Sequence, residues 1–350
     1  MGVLASEVPT GVIADVISRR FSIILAFLMM GSAMALAGVF EAFWLLALSQ
    51  IAWGIGWTMQ SGANVAWLTD ELRDPERVEK LVLTRSRVEV AANAAGVPIA
   101  LILNLLLTRS GAIAVASMSL FVWGLVLMVV MPERGFTRHE GAAFAEFKRV
   151  LSLGGRLTLR TPSLRIIAIS TLLGGFASEV IDRLDVARLF EVGIPDDMDE
   201  VVLVSLLMLA KAVAAIAVLR LVERRIVSYG AARWMTLFYL GAAAAVAVAA
   251  GSGRLGLVLV AFVVQEGLRY GIDPLETLIA NRHDESDARA TVLSFMSQAH
   301  AAGEIIGGVT LGILATATSV STAFFFAVAV FVLAGLVAGR AERAAPVAAG

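Results

Sequence analysis

A chain of 350 residues that is 59% hydrophobic and only 16% charged, with mean hydropathy +0.84, lies outside the range of soluble domains and reads as an integral membrane protein. Its net charge of -1 provides no basic field for nucleic acid, and the absence of cysteine removes disulfides, thiol catalysis and cysteine metal sites together. His139, His283 and His300 are too scattered to suggest a metal cluster, so neither a metal nor a cofactor is expected.

In chain order, the apolar stretch ahead of Asp15 is shorter than the roughly 17 to 25 residues a helix needs to cross hydrocarbon. Full spans are predicted at 21–40, 43–67, 88–107 and 111–131, with a charged loop from Asp70 to Arg87. The polar segment that follows carries Arg134, Arg138, Lys148, Arg149, Arg156 and Arg160, with Phe144, Phe147, Val150 and Leu151 at helical spacing. Such a segment lies on a membrane face and links two halves. Further spans are predicted at 164–187, 201–222, 233–251, 255–279, 291–314 and 319–339. The expected organisation is an N-terminal helical half at 1–131, a cytoplasmic linker at 132–163, a C-terminal half at 164–340 and a flexible cytoplasmic tail at 341–350.

Lys and Arg gather in alternate loops, on the side of Arg19 and Arg20, and that side is therefore cytoplasmic, the C-terminus included. The outer loop with Asp196, Asp197, Asp199 and Glu200 reads as a solvated acidic turn and not as an enzyme's metal site.

Polar side chains inside a span face protein or water, because lipid makes each of them expensive. They are unevenly spread: Gln50, Gln60 and Asn64; Glu89, Asn93 and Asn104; Glu179 and Asp182; Lys211; Glu266 and Arg269; Glu304. The interiors of 21–40, 111–131, 233–251 and 319–339 hold no charged residue, so a lipid-facing helix recurs at every third position. Four three-helix units around a polar cavity would give this rhythm. Within spans, spacing predicts a Glu179–Arg183 salt bridge and a ladder from Glu266 through Arg269 to Asp273. Glu304, lodged among glycines, is an intramembrane site whose cost would be offset by function or by a cation such as Lys211 or Arg269.

Four stretches carry a family likeness. Gly11, Asp15, Arg19 and Arg20 stand in a Gly-x-x-x-Asp-x-x-x-Arg-Arg loop preceded by Glu7-Val8-Pro9-Thr10. Ser61-Gly62-Ala63-Asn64 leads into Asp70, Gly96 and Pro98 punctuate the span at 88–107, and Arg289-Ala290-Thr291 opens a span containing Gly303, Gly307 and Gly308. Together they resemble the major facilitator superfamily, in particular its drug-efflux (drug:proton antiporter) branch, with Val16 where that family usually has Arg and Ser18 where it has Gly. The resemblance implies an all-α integral membrane fold on a 12-helix plan, of which about 11 helices are present, the first missing and the second shortened. Symmetry between the halves then predicts that Met1 is an internal methionine and that another apolar span precedes it.

The resemblance further implies secondary active transport, with proton-coupled efflux of small amphipathic compounds by alternating access and not enzymatic catalysis. A solute uptake permease, or an inactive truncated membrane protein, is the alternative. Gly11, Asp15, Arg19, Arg20 and Asp70 would form the conformational gate, with Asp70 placed to pair with Arg19 or Arg20 and Asp15 meeting the N-terminal end of the span near Ala290. Glu7, Asn64, Asn93, Glu179, Asp182, Lys211, Glu266, Arg269 and Glu304 would line the substrate or proton pathway. The expected partners are a small-molecule substrate, protons and membrane lipid, with no nucleic acid, in a monomer of the cytoplasmic membrane.

Overall fold

A computed structural model describes residues 18–72, 95–134, 158–225, 230–280 and 286–341, with isolated positions 92, 152 and 156. Helix dominates these residues and no strand occurs among them. Eight described spans, with Leu255–Glu276 counted as one, are long and apolar enough to cross a membrane. This is an all-α, multi-pass membrane protein, and it divides into two compact units, 1–149 and 150–350.

In the first unit, α1 (Arg19–Val39) packs against both α2 (Phe43–Leu72) and α4 (Arg109–Val130), while α3 (Ala95–Leu106) precedes α4. Helix starts follow from local chemistry. Ser18 Oγ accepts from the Phe21 N–H at 2.8 Å and Thr108 Oγ1 accepts from the Gly111 N–H at 3.2 Å, each satisfying a donor that the first turn leaves open. Small residues let the helices approach: Gly31 lies against Phe121, Gly38 against Ile113 and Gly124 against Leu28. The buried Ser117 hydroxyl donates to the Gly31 carbonyl at 2.9 Å, so polarity inside the contact is satisfied. Outward positions such as Trp123, Val129 and Leu106 are exposed and apolar, as hydrocarbon requires.

In the second unit, α5 (Pro162–Val192) packs on α10 (Ser286–Ala317) and α11 (Val320–Ala338). Helix α7 (Ala231–Gly251) meets α11, α8 (Leu255–Tyr270) and α9 (Ile272–Ala280), and α6 (Glu200–Arg225) lies along α8. One continuous apolar core joins them, with Phe262 and Phe324 edge to face at 6.0 Å between ring centroids. The tightest contact is α5 against α10. A Cβ on Gly303 would strike the Leu172 carbonyl and one on Gly307 the Phe176 carbonyl, so these positions admit hydrogen alone.

Several expected boundaries change. The span expected at 255–279 is two helices, ending at Tyr270 and restarting at Ile272, because Pro274 has no N–H to return to the Tyr270 carbonyl. Helix α2 continues to Leu72, which places Asp70 in its last turn and not in a loop. Helix α10 begins at Ser286, ahead of the expected start at 291. The uncharged spans at 233–251 and 319–339 are not simply lipid-facing: α7 and α11 bury one face on each other and expose only Leu237, Val248, Phe325, Phe326, Leu333 and Leu336 among their large apolar residues. The amphipathic stretch after residue 134, the first part of the span at 88–107 and the tail from 342 lie outside the described residues.

Candidate functional site

The second unit carries a chain of charges through its interior. Asp185, on α5, is 2% exposed, and its Oδ2 lies 2.9 Å from Nζ of Lys211 on α6, itself 5% exposed. The same ammonium is 3.9 Å from Glu266 Oε2 on α8. Glu266 Oε1 is 3.0 Å from the Arg269 guanidinium, which also reaches Asp182 Oδ2 on α5 at 3.4 Å and lies 5.1 Å from the ring centre of Tyr270. The order is Asp185, Lys211, Glu266, Arg269, Asp182: three carboxylates and two cations, one negative charge in excess.

Helix geometry supplies half of this arrangement. Asp182 and Asp185 are three residues apart on α5, as Glu266 and Arg269 are on α8, so each pair shares a helix face. Packing of α8 on α6 then brings Lys211 between the two faces, and Gly267 allows that approach by sitting against Ala214. Next to the chain, Gln265 is fully buried and neither of its amide atoms has a partner among the described residues. Removing one member of a buried ion pair leaves the other uncompensated, at about 3–5 kcal/mol, so the network is coupled as a unit.

Two smaller polar groups lie in the same unit. His300 Nε2 and Glu304 Oε1 are 3.3 Å apart on α10, both about a third exposed, at 32% and 35%. Glu276 Oε1, on α9, is 2.7 Å from Thr171 Oγ1 on α5. Glu304 is therefore paired with His300 and not with Lys211 or Arg269, each of which is held by carboxylates of α5 and α8. The Glu179–Arg183 bridge forms at 2.8 Å, with Arg183 69% exposed. Of the ladder expected from Glu266 through Arg269 to Asp273, the Glu266–Arg269 pair forms at 3.0 Å, and Asp273, beyond the helix break, lies within electrostatic reach of Arg269.

Sequence reasoning passed over Asp185, Glu276 and Thr171. It also passed over Arg188, whose guanidinium donates to the carbonyls of Ala249, Ala250 and Ser252 at 3.0 Å each. That residue caps the C-terminal end of α7, where unpaired carbonyls favour a cation. Asp185 had a visible signal, a second acid one turn beyond Asp182. Thr171 had none.

In the first unit, Gln60 and Asn64 are one turn apart on α2 and line a pocket of about 370 Å³ with Phe27, Trp67, Trp123 and Leu127. Neither amide side chain has a hydrogen-bond partner among the described residues. Trp67 Nε1–H donates to the Pro132 carbonyl at 2.8 Å and closes one end. The Arg20 guanidinium donates to the Met128 carbonyl, while the Arg20 backbone N–H donates to Glu133 Oε1 at 3.0 Å. Ser18 Oγ donates to the same carboxylate at 2.8 Å, so Glu133 ties the start of α1 to the end of α4. The positive end of a helix favours such a carboxylate. Asp70 sits in the last turn of α2 and its side chain, like Glu7, Gly11, Asp15 and Asn93 entirely, lies outside the described residues.

By sequence, no protein-family model and no curated protein matches this chain. By structure, it is similar to a bacterial homolog of the human lysosomal transporter Spinster, at 14% identity and TM-score 0.75 over 97% of this chain and 86% of that one. A POT family transporter crystallised with 5-aminolevulinic acid aligns at 13% identity and TM-score 0.74, over 99% and 86% of the two chains. FucP, a major facilitator superfamily transporter described as the fucose:proton symporter of E. coli, aligns at 15% identity and TM-score 0.60, over 99% and 88%. Identities this low speak to architecture alone, and the alignments span nearly the whole chain: this protein has the fold of the major facilitator superfamily transporters.

Proposed function

We propose that this protein is a secondary active transporter of the cytoplasmic membrane that exports small amphipathic compounds in exchange for protons. The observation that carries the reading is the interior chain from Asp185 to Asp182. Charges at membrane depth persist where they line a substrate or ion path, and this chain has one carboxylate more than its cations neutralise. The excess acid gives a proton, or a cationic group on a substrate, a place to bind. The pocket beside Gln60 and Asn64 supports the amphipathic part of the reading, since it offers aromatic walls and two amides with no hydrogen-bond partner among the described residues.

In this reading the protein works as a monomer by alternating access of a half at 1–131 and a half at 164–340, with the C-terminus cytoplasmic. Gly11, Asp15, Arg19, Arg20 and Asp70 form the inner gate, and Glu179, Asn93, Glu7 and Glu304 contribute to the path. Uptake of a solute with protons is the second reading, favoured by the structural likeness to a protein described as a fucose:proton symporter.

Accumulation of a fluorescent amphipathic dye separates the two. Cells carrying the protein are expected to hold several-fold less ethidium than cells without it, and the difference should vanish with an uncoupler and in Glu266→Gln. Equal accumulation would remove the efflux reading, and higher accumulation would favour uptake.

A further inference from the structure

We propose that Glu276 is a proton-binding carboxyl of the second unit, held in place by the Thr171 hydroxyl. Other acids of the unit already have basic partners: Glu179 meets Arg183, Asp185 meets Lys211, Glu266 and Asp182 meet Arg269, and Glu304 meets His300. Glu276 has only a neutral hydroxyl, and among the described residues no Lys or Arg lies within ion-pair distance of it.

Its surroundings are apolar along its own helix, where Ile272, Leu275 and Ile279 are buried. Thr171, on the α5 side, is also buried. The titratable groups that face it are Asp273 on α9, His300 from α10 and Tyr239 from α7, with Glu304 beyond His300 and in reach of Asp273. Tyr239 is itself engaged, its phenol donating to the Ser170 carbonyl at 3.3 Å. A carboxylate in such a place has no cation to offset lost hydration, whereas the neutral acid with one hydroxyl partner has little to lose.

Three features make the site exchangeable and not merely buried. Glu276 is intermediate in exposure, so the residue is not sealed inside the unit, and its carboxyl rests on Thr171. The 2.7 Å separation suits a hydrogen bond in either direction, from the threonine hydroxyl to a carboxylate or from a carboxylic acid to the threonine oxygen. Finally, the His300–Glu304 pair lies close by, about a third exposed, and gives a leaving proton a basic neighbour. Binding adds one proton to one carboxylate oxygen, and no other bond forms or breaks.

The proposal deepens the proton-coupled reading, yet proton binding can be read without transport. Infrared difference spectra of the purified full chain in detergent, between about pH 5 and about pH 9, report protonated carboxyl groups directly. The wild type is expected to show a carbonyl band that disappears in Glu276→Gln and survives in Glu304→Gln. Thr171→Val, which keeps the acid, is expected to move that band to higher frequency by removing its hydrogen bond. A band unchanged by both Glu276→Gln and Thr171→Val would overturn the assignment, as would loss of the band in Glu304→Gln alone. Should Glu276→Gln fail to fold, the Thr171→Val shift decides by itself. If the band behaves as expected while neither protein moves ethidium, the proton site stands and the efflux reading falls. Proton-driven transport lost in Glu276→Gln with the band intact would sink the site and leave the transporter.

Discussion

The two units keep polarity inside a membrane in different ways. In the first, the described span interiors hold amides and hydroxyls, and charge is confined to helix ends, where Glu133 meets Ser18 and the Arg20 N–H. In the second, three helices share five charged side chains at their centre. Their close contacts differ too. Gly124 rests on the flexible end of the Leu28 side chain, whereas Gly303 and Gly307 rest on the backbone of α5. Side chains can give way and backbone cannot, so Gly124 should tolerate substitution where Gly303 and Gly307 do not. The charged unit needs that rigidity, because an ion chain distributed over α5, α6 and α8 keeps its distances only if the helices do.

The sharpest way to break the contrast is Lys211→Ala. It leaves Asp185 buried beside no cation, and should destabilise the second unit by about 3–5 kcal/mol in a thermal melt of the purified protein. Replacing both partners, Lys211→Met with Asp185→Leu, should restore most of that stability while abolishing transport. A double variant no more stable than Lys211→Ala would show that the pair is not the coupled unit described.

A smaller effect separates the glycines. Gly307→Ala should cost about 1–3 kcal/mol, because the new methyl meets the Phe176 carbonyl and the helices must part. Gly124→Ala should be near neutral, since roughly 1 kcal/mol of helix propensity offsets the displacement of the Leu28 methyl group. Equal losses at both positions would mean that the two units are equally stiff.

The smallest change is expected at Arg183→Gln. Its bridge to Glu179 is local and largely exposed, so the melting temperature should move by the equivalent of no more than about 0.5 kcal/mol after solvent screening. A loss above 2 kcal/mol would place Arg183 inside the coupled chain.

Much of this was legible along the chain. Apolar runs of membrane length mark the helices, and pairs three or four residues apart, such as Glu179 with Arg183 and Glu266 with Arg269, can be read from spacing alone. Pro274 marks the helix break at Gly271 for a reader who asks which N–H is missing. Glu304 shows the limit. Its partner His300 was four residues away and plain to see, yet distant cations competed for it in the sequence, because nothing local says that α5 already holds them.

By itself, then, the sequence determined that this protein lives in a membrane, roughly where its helices run, and which side chains lipid would penalise, because hydropathy and helical spacing act over a few turns. Only the tertiary structure decided who neutralises whom. Asp185 meets Lys211 across 26 residues and Glu276 meets Thr171 across 105. Those meetings depend on which helix faces pack together, through contacts such as Gly303 and Gly307 on α5 and Gly267 on α6, and a helix's facing neighbour is set by the whole assembly of the unit rather than by any one span.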